Sequence, residues 1–133
     1  MLDFDKAFSE KHSGKLEFFI EERKRDCVRS RMPVTEDMLN PFGTIHAGAM
    51  IWLADVTATV LAFSETSARQ DGKGFPLAIN LNANLMGNQR DGEIRAEARF
   101  VRKGKRVTLI RTQVIGSEGE VLAEITTNHI PAE

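Results

Sequence analysis

With only one cysteine, Cys27, the chain cannot form an intrachain disulfide, and a reducing, cytoplasmic setting fits. Its three histidines are scattered, so together with that cysteine they give no metal-ligand spacing, and no metal is expected. Charge of one sign is also lacking: 18 Lys and Arg stand against 19 Asp and Glu. A nucleic-acid partner would normally require a clear basic excess, so that class is set aside. A neutral total can still hide a local basic patch. Met1 to Lys11 carries Asp3, Asp5, Lys6, Glu10 and Lys11 without an apolar core, and does not read as a signal peptide. One apolar run, 47–63, has nearly the length of a membrane span. Asp55 sits at its middle, where a charge costs about 2.5 kcal/mol or more, so no membrane partner is expected. Repeats and low-complexity linkers are absent. The 133 residues fit a single domain, 1–133, around one core.

Residues 1–12 place Phe4, Ala7 and Phe8 at helical spacing, with Gly14 to end the turn. Between Leu16 and Val34, alternation of apolar residues with charges predicts two short strands. Asn40-Pro41-Phe42-Gly43-Thr44 is a loop, and the apolar run after it predicts a central helix over 46–64. Leu77, Ile79, Leu81, Ala83 and Leu85 then alternate with Asn80, Asn82 and Asn84, giving a strand with one apolar and one amide-rich face. Turns at Asp91-Gly92, Lys103-Gly104-Lys105 and Ser117-Glu118-Gly119 separate three more strands, and the four together predict an antiparallel meander.

Apart from Asp55, Thr57 and Thr59, the central helix is apolar nearly all round. Such a helix must be surrounded, which predicts an α+β fold with an antiparallel sheet wrapped about it and Asp55 buried within.

The stretch from Asn40 to Ala49, followed by Leu53-Ala54-Asp55, resembles the signature of the hotdog-fold thioesterases. It is most similar to the phenylacetate-degradation (PaaI-like) branch, related to 4-hydroxybenzoyl-CoA thioesterase. Asn40, His46 and Asp55 match in type and spacing, and the likeness covers all but the first dozen residues. The resemblance implies a homo-oligomeric enzyme that hydrolyses acyl-CoA, with CoA as part of the substrate and no further cofactor. It implies catalytic roles for Asp55 and for the backbone N–H at Ala47, with Gly48 and His46 beside it. Asn40 would orient water or hold the acyl carbonyl, and Thr59 would bond the carboxylate or the attacking water. The family usually has glycine where Ala47 stands. Alanine keeps the N–H, but its methyl group narrows the approach to the acyl carbon.

The chemistry suits those positions. A helix N-terminus offers unpaired N–H groups and a positive dipole end to a developing oxyanion. Asp55 can serve as general base toward water or as nucleophile. Nine residues of helix separate His46 from Asp55, so the two lie about 13 Å apart along the axis and on opposite faces. One chain cannot bring both to one carbonyl. The site therefore requires a dimer, in which Asp55 of one subunit meets the helix start of another, and a tetramer is compatible with this. Arg102, Lys103, Gly104, Lys105 and Arg106 form a basic turn suited to the phosphates of CoA, although such a turn is on its own more often a solvated hairpin. His12 and His129, near the termini, read as solvated surface, and Cys27 as packing. Two other readings stay open: a non-catalytic acyl-CoA-binding protein of the same fold, and a hotdog dehydratase.

Overall fold

In a computed structural model, residues 14–63 and 70–133 are described. The expected helix within 1–12, His12 and the far end of the central helix at Ser64 lie outside the described residues. Strands β1 (Phe19–Arg23) and β2 (Cys27–Pro33) come first, then a short 3₁₀ turn at Glu36–Met38 and the helix α1 (Ala47–Phe63). Strands β3 (Pro76–Leu85), β4 (Glu93–Lys103), β5 (Thr108–Ile115) and β6 (Val121–Pro131) follow. All strand pairs are antiparallel, in one six-stranded sheet that packs against α1, so the expected fold class holds.

Alternation explains the sheet. Met32, Ile94, Ala96, Ala98, Ile110, Val114 and Ile125 are buried toward the helix. The helix turns Ala49, Leu53, Ala54, Ala58 and Ala62 to the sheet, and alanines on both sides allow a close approach. The outer face carries ion pairs across neighbouring strands, such as Arg31–Glu93 at 2.7 Å, Arg29–Glu97 at 3.2 Å and Arg111–Glu124 at 2.9 Å. Exposed pairs of this kind contribute little stability. They mark the outer face as wet.

The strand order is β1-β2-β4-β5-β6-β3, so the expected four-strand meander is correct only for β4, β5 and β6. Strand β3 lies at the sheet edge and pairs with β6 instead of β4. Chain length between strands explains the difference. Residues 86–92 separate β3 from β4, too many for a tight hairpin and enough to cross the ends of β6 and β5. The crossing starts where the Met86 and Gly87 N–H groups both donate to the Leu122 carbonyl, at 2.8 and 2.9 Å.

Within β3 the register shifts between Ala78 and Asn80, leaving Ile79 as the extra residue. Beyond it Leu81, Ala83 and Leu85 stand opposite Thr127, Ile125 and Ala123, all buried, and so share the helix side. Asn80, Asn82 and Asn84 pair with Asn128, Thr126 and Glu124 on the outer side. Leu77, Ile79, Leu81 and Leu85 nevertheless remain 40 to 55% exposed, because none of the described residues covers this edge.

Candidate active site

One face of α1 is also uncovered. Gly48 is exposed, and Ile51, Trp52, Asp55, Val56, Thr59 and Val60 are only half-buried; with Phe63 they recur at the three- and four-residue spacing of a single stripe. Asp55 is therefore not enclosed as the sequence suggested. The sheet covers half of the helix, and among the described residues little covers the apolar pattern on the other half. Phe18 shields part of it, meeting Trp52 edge to face at 5.2 Å.

A cavity of about 610 Å³ opens on this stripe. The helix contributes Asp55, Val56, Thr59, Val60 and Phe63, and the start of β3 contributes Pro76, Leu77 and Ala78 after Phe75. Phe63 and Phe75 meet edge to face at 5.8 Å. The wall is thus largely apolar, with a carboxylate and a hydroxyl one helical turn apart. Arg23, at the end of β1, completes it. Sequence reasoning missed Arg23, since only the curvature of the sheet brings β1 near β3 around the helix.

The other half of the expected site lies at the start of α1. Asn40 accepts hydrogen bonds at Oδ1 from the N–H groups of Phe42 (2.9 Å) and Thr44 (3.2 Å), and its Nδ2 donates to Thr44 Oγ1 at 2.8 Å. It thereby folds the loop, helped by Gly43 at φ 81°, a left-handed conformation that favours glycine. One Nδ2 hydrogen of Asn40 remains for another partner. His46 N–H donates to the Met38 carbonyl at 2.8 Å, and the exposed His46 borders a groove with Gly14, Leu16 and Asp37, separate from the cavity that Asp55 lines. The first helical hydrogen bond runs from Ala49 N–H to the His46 carbonyl at 3.0 Å. The N–H groups of Ala47 and Gly48 precede it and have no acceptor in the helix. Space beside Gly48 is open, since a Cβ there would meet nothing within 4 Å.

Arg102 and Lys103 end β4, and Gly104, Lys105 and Arg106 form the turn toward β5. Gly104 is required there, since a Cβ would fall on the Val107 carbonyl. Lys103 Nζ lies 4.4 Å from the centre of the Phe100 ring. Lys103, Lys105 and Arg106 line a second cavity, about 160 Å³, with Thr108, His129 and Pro76. Pro76 also borders the Asp55 cavity, so the basic turn adjoins the site through one residue. Arg102 lies outside this lining.

His129 corrects the sequence reading. It is 2% exposed, because the odd-numbered residues of β6 face the helix. Its Nδ1 lies 3.5 Å from the Pro76 carbonyl, which can only accept, so Nε2 is left to accept from Thr127 Oγ1 at 2.8 Å. Burial pushes the imidazole below its ordinary pKa, against the opposing pull of the Pro76 carbonyl and the Asp55 carboxylate. Among the described residues no cluster of His, Cys, Asp and Glu could hold a metal ion, and no helix is long and apolar enough to cross a membrane.

Comparison with known proteins places this geometry in context. The family model described as "Thioesterase superfamily" matches residues 42–123, from the loop before α1 into β6. The 1,4-dihydroxy-2-naphthoyl-CoA hydrolase of Escherichia coli (strain K12) is 26% identical over 108 residues, covering 81% of this chain and 76% of that protein. The E. coli PaaI protein superposes with a TM-score of 0.78 at 18% identity, over 87% of this chain and 80% of its own. A "Hypothetical Thioesterase Protein" of Streptococcus pneumoniae TIGR4, solved with coenzyme A, also gives 0.78, at 17% identity, over 92% and 94% of the two chains.

Proposed function

The chain belongs to the Thioesterase superfamily, and from that premise we propose that it is an acyl-CoA thioesterase, releasing a free acid and CoA, with Asp55 at its catalytic centre. The observation that carries this reading is the placement of Asp55 and Thr59 on the wall of an apolar cavity wide enough for an acyl group. In this reading Asp55 acts as general base toward water or as the nucleophile, and Thr59 hydrogen-bonds the carboxylate or the water. The Ala47 N–H, with Gly48 behind it, polarises the thioester carbonyl at the positive end of α1. The spare Nδ2 hydrogen of Asn40 can reach toward the same carbonyl or water. His46 shapes the helix entry and transfers no proton.

Asp55 and the Ala47 N–H lie two helical turns apart, so the site is completed by a second copy of the chain. The uncovered stripe of α1 and the exposed edge of β3 support that dimer. An edge bearing Leu77, Ile79 and Leu81, unpaired among the described residues, is a template for strand pairing, and a two-fold axis there would set two helices side by side. CoA would lie with its phosphates on the basic turn, which adjoins the Asp55 cavity at Pro76. The naphthoyl-CoA hydrolase and the CoA-bound streptococcal protein support CoA as the thiol carrier. Phe63, Phe75 and Leu77 favour an aryl or medium-chain acyl group in the cavity.

A screen of thiol release over short, medium, long and aryl acyl-CoAs, run beside Asp55→Ala, tests the reading. Turnover on at least one substrate, lost by several orders of magnitude in the folded variant, is expected. Unchanged kcat in Asp55→Ala contradicts it. Saturable CoA binding without thiol release would favour a non-catalytic acyl-CoA-binding protein.

A further inference from the structure

No sequence motif marks Asn88, which lies in the connection from β3 to β4. Its side-chain amide grips one residue, Ile45, at both of its backbone groups. Ile45 N–H donates to Asn88 Oδ1 at 2.7 Å, and Asn88 Nδ2 donates to the Ile45 carbonyl at 2.9 Å. The Gln89 N–H donates to the same Oδ1 at 2.8 Å. Two N–H donors on one side and a carbonyl on the other fix which way the amide faces.

The clamp is anchored. Gln89 Nε2 is shared among the Asp91 carbonyl (2.7 Å), the Glu93 carbonyl (2.9 Å) and Ser117 Oγ (3.0 Å). The Ser117 N–H returns a bond to Gln89 Oε1 at 3.0 Å. The connection is thereby tied to the start of β4 and to the turn between β5 and β6. On the opposite side Ile45 bridges Leu39, and His46 N–H reaches the Met38 carbonyl at 2.8 Å. The chain entering α1 is therefore held between Met38–Leu39 and Asn88. Only His46 separates the clamped Ile45 from Ala47, and peptide planarity leaves few soft torsions between them.

We infer that Asn88 is a positioning residue for the N–H of Ala47: its amide, locked onto Ile45, sets the direction in which the first free N–H groups of α1 point. Asn88 touches no reacting atom. This rests on the reading in which that N–H polarises a thioester carbonyl. Pairing with both groups of one residue requires a donor and an acceptor on one planar group. Aspartate supplies the acceptor alone and would set an oxygen against the Ile45 carbonyl.

The test compares Asn88→Ala and Asn88→Asp with Ile110→Val, a core substitution on β5 that packs with Val28, Ala58 and Leu61, in a cluster separate from the one holding Ile45. The readouts are kcat and KM for thiol release, the melting temperature, and the backbone ¹H–¹⁵N shifts of Ala47 and Gly48. Since a misplacement of about 1 Å can cost on the order of 100-fold, kcat is expected to fall ~10- to 100-fold in both Asn88 variants, with KM changing less than ~3-fold. Ala47 and Gly48 amide shifts should move in both, while Ile110→Val lowers the melting temperature without changing kcat or those shifts. Wild-type kcat in Asn88→Ala overturns the inference, as does a loss matched by Ile110→Val at equal loss of stability. If the wild-type protein releases no thiol from any acyl-CoA, the thioesterase reading fails instead. The amide shifts then decide alone, and unmoved Ala47 and Gly48 resonances in Asn88→Ala overturn the positioning role.

Discussion

Replacing Ala47 by proline removes one N–H and very little else. Ala47 is the first residue of α1, and its N–H lies ahead of the first helical bond, which Ala49 donates to His46. Proline is favoured at that position, because its fixed φ suits the first turn and the missing N–H has no helical acceptor to lose. The melting temperature should therefore stay within a few degrees of wild type. Catalysis should not be spared. Removing one oxyanion donor costs roughly 100- to 1,000-fold in kcat, about 2.7–4 kcal/mol of transition-state stabilisation. The assay is thiol release from the best acyl-CoA of the screen, with circular dichroism and melting curves to verify the fold. Wild-type kcat in a folded Ala47→Pro protein would refute the assignment of that N–H to the carbonyl.

Reversing the basic turn with Lys103→Glu, Lys105→Glu and Arg106→Glu together should raise KM for acyl-CoA by about tenfold or more and weaken its salt dependence. The kcat should change little, as expected for ground-state binding; an unchanged KM would return the turn to the role of a solvated hairpin. His129 has a folded-state pKa below the unfolded value of about 6.5, so its contribution is fully present above that pH. As pH falls through 6.5 toward the folded pKa, the unfolded state binds the proton first and stability drops. Urea midpoints measured from pH 8 to 5 should fall across this window, and His129→Gln should flatten the dependence. An equally steep dependence in the variant contradicts it. Among the described residues, Thr112 Oγ1 is buried without a hydrogen-bond partner. Thr112→Val removes that uncompensated hydroxyl at nearly constant shape and should stabilise by about 1 kcal/mol in urea unfolding, whereas a loss would reveal a partner.

Local patterns were legible wherever one chain segment carries its own signal. Residues 28–33 and most of 93–131 alternate, and the strands β2, β4, β5 and β6 fall where the alternation puts them. Asn40, His46 and Asp55 stand in a motif, and the fold that motif implies is the one observed. What the sequence hid was set by contacts distant along the chain. The partner of β3 depends on how residues 86–92 cross two strand ends, which alternation within β3 does not encode. His129 looked exposed because it lies near the end of the chain, yet its odd position in β6 turns it inward. A closer signal existed: Ala123, Ile125 and Thr127 already define that inward face. Asp55 looked buried because the helix is apolar all round, whereas one sheet covers only half a helix. Arg23 and Asn88 carry no local mark, since one reaches its cavity through sheet curvature and the other through a pairing 43 residues distant.

The central claim is that Asp55 and the Ala47 N–H of one working site come from different subunits. Mixing two inactive variants, Asp55→Ala and Ala47→Pro, after unfolding and joint refolding tests it directly. Half of the dimers should then be mixed, and each mixed dimer holds one intact site and one doubly broken site. Thiol release should return to about a quarter of the wild-type rate at equal chain concentration. If each site lay within one chain, every site in the mixture would lack either its carboxylate or its donor. Activity no higher than that of the separate variants would then contradict the account.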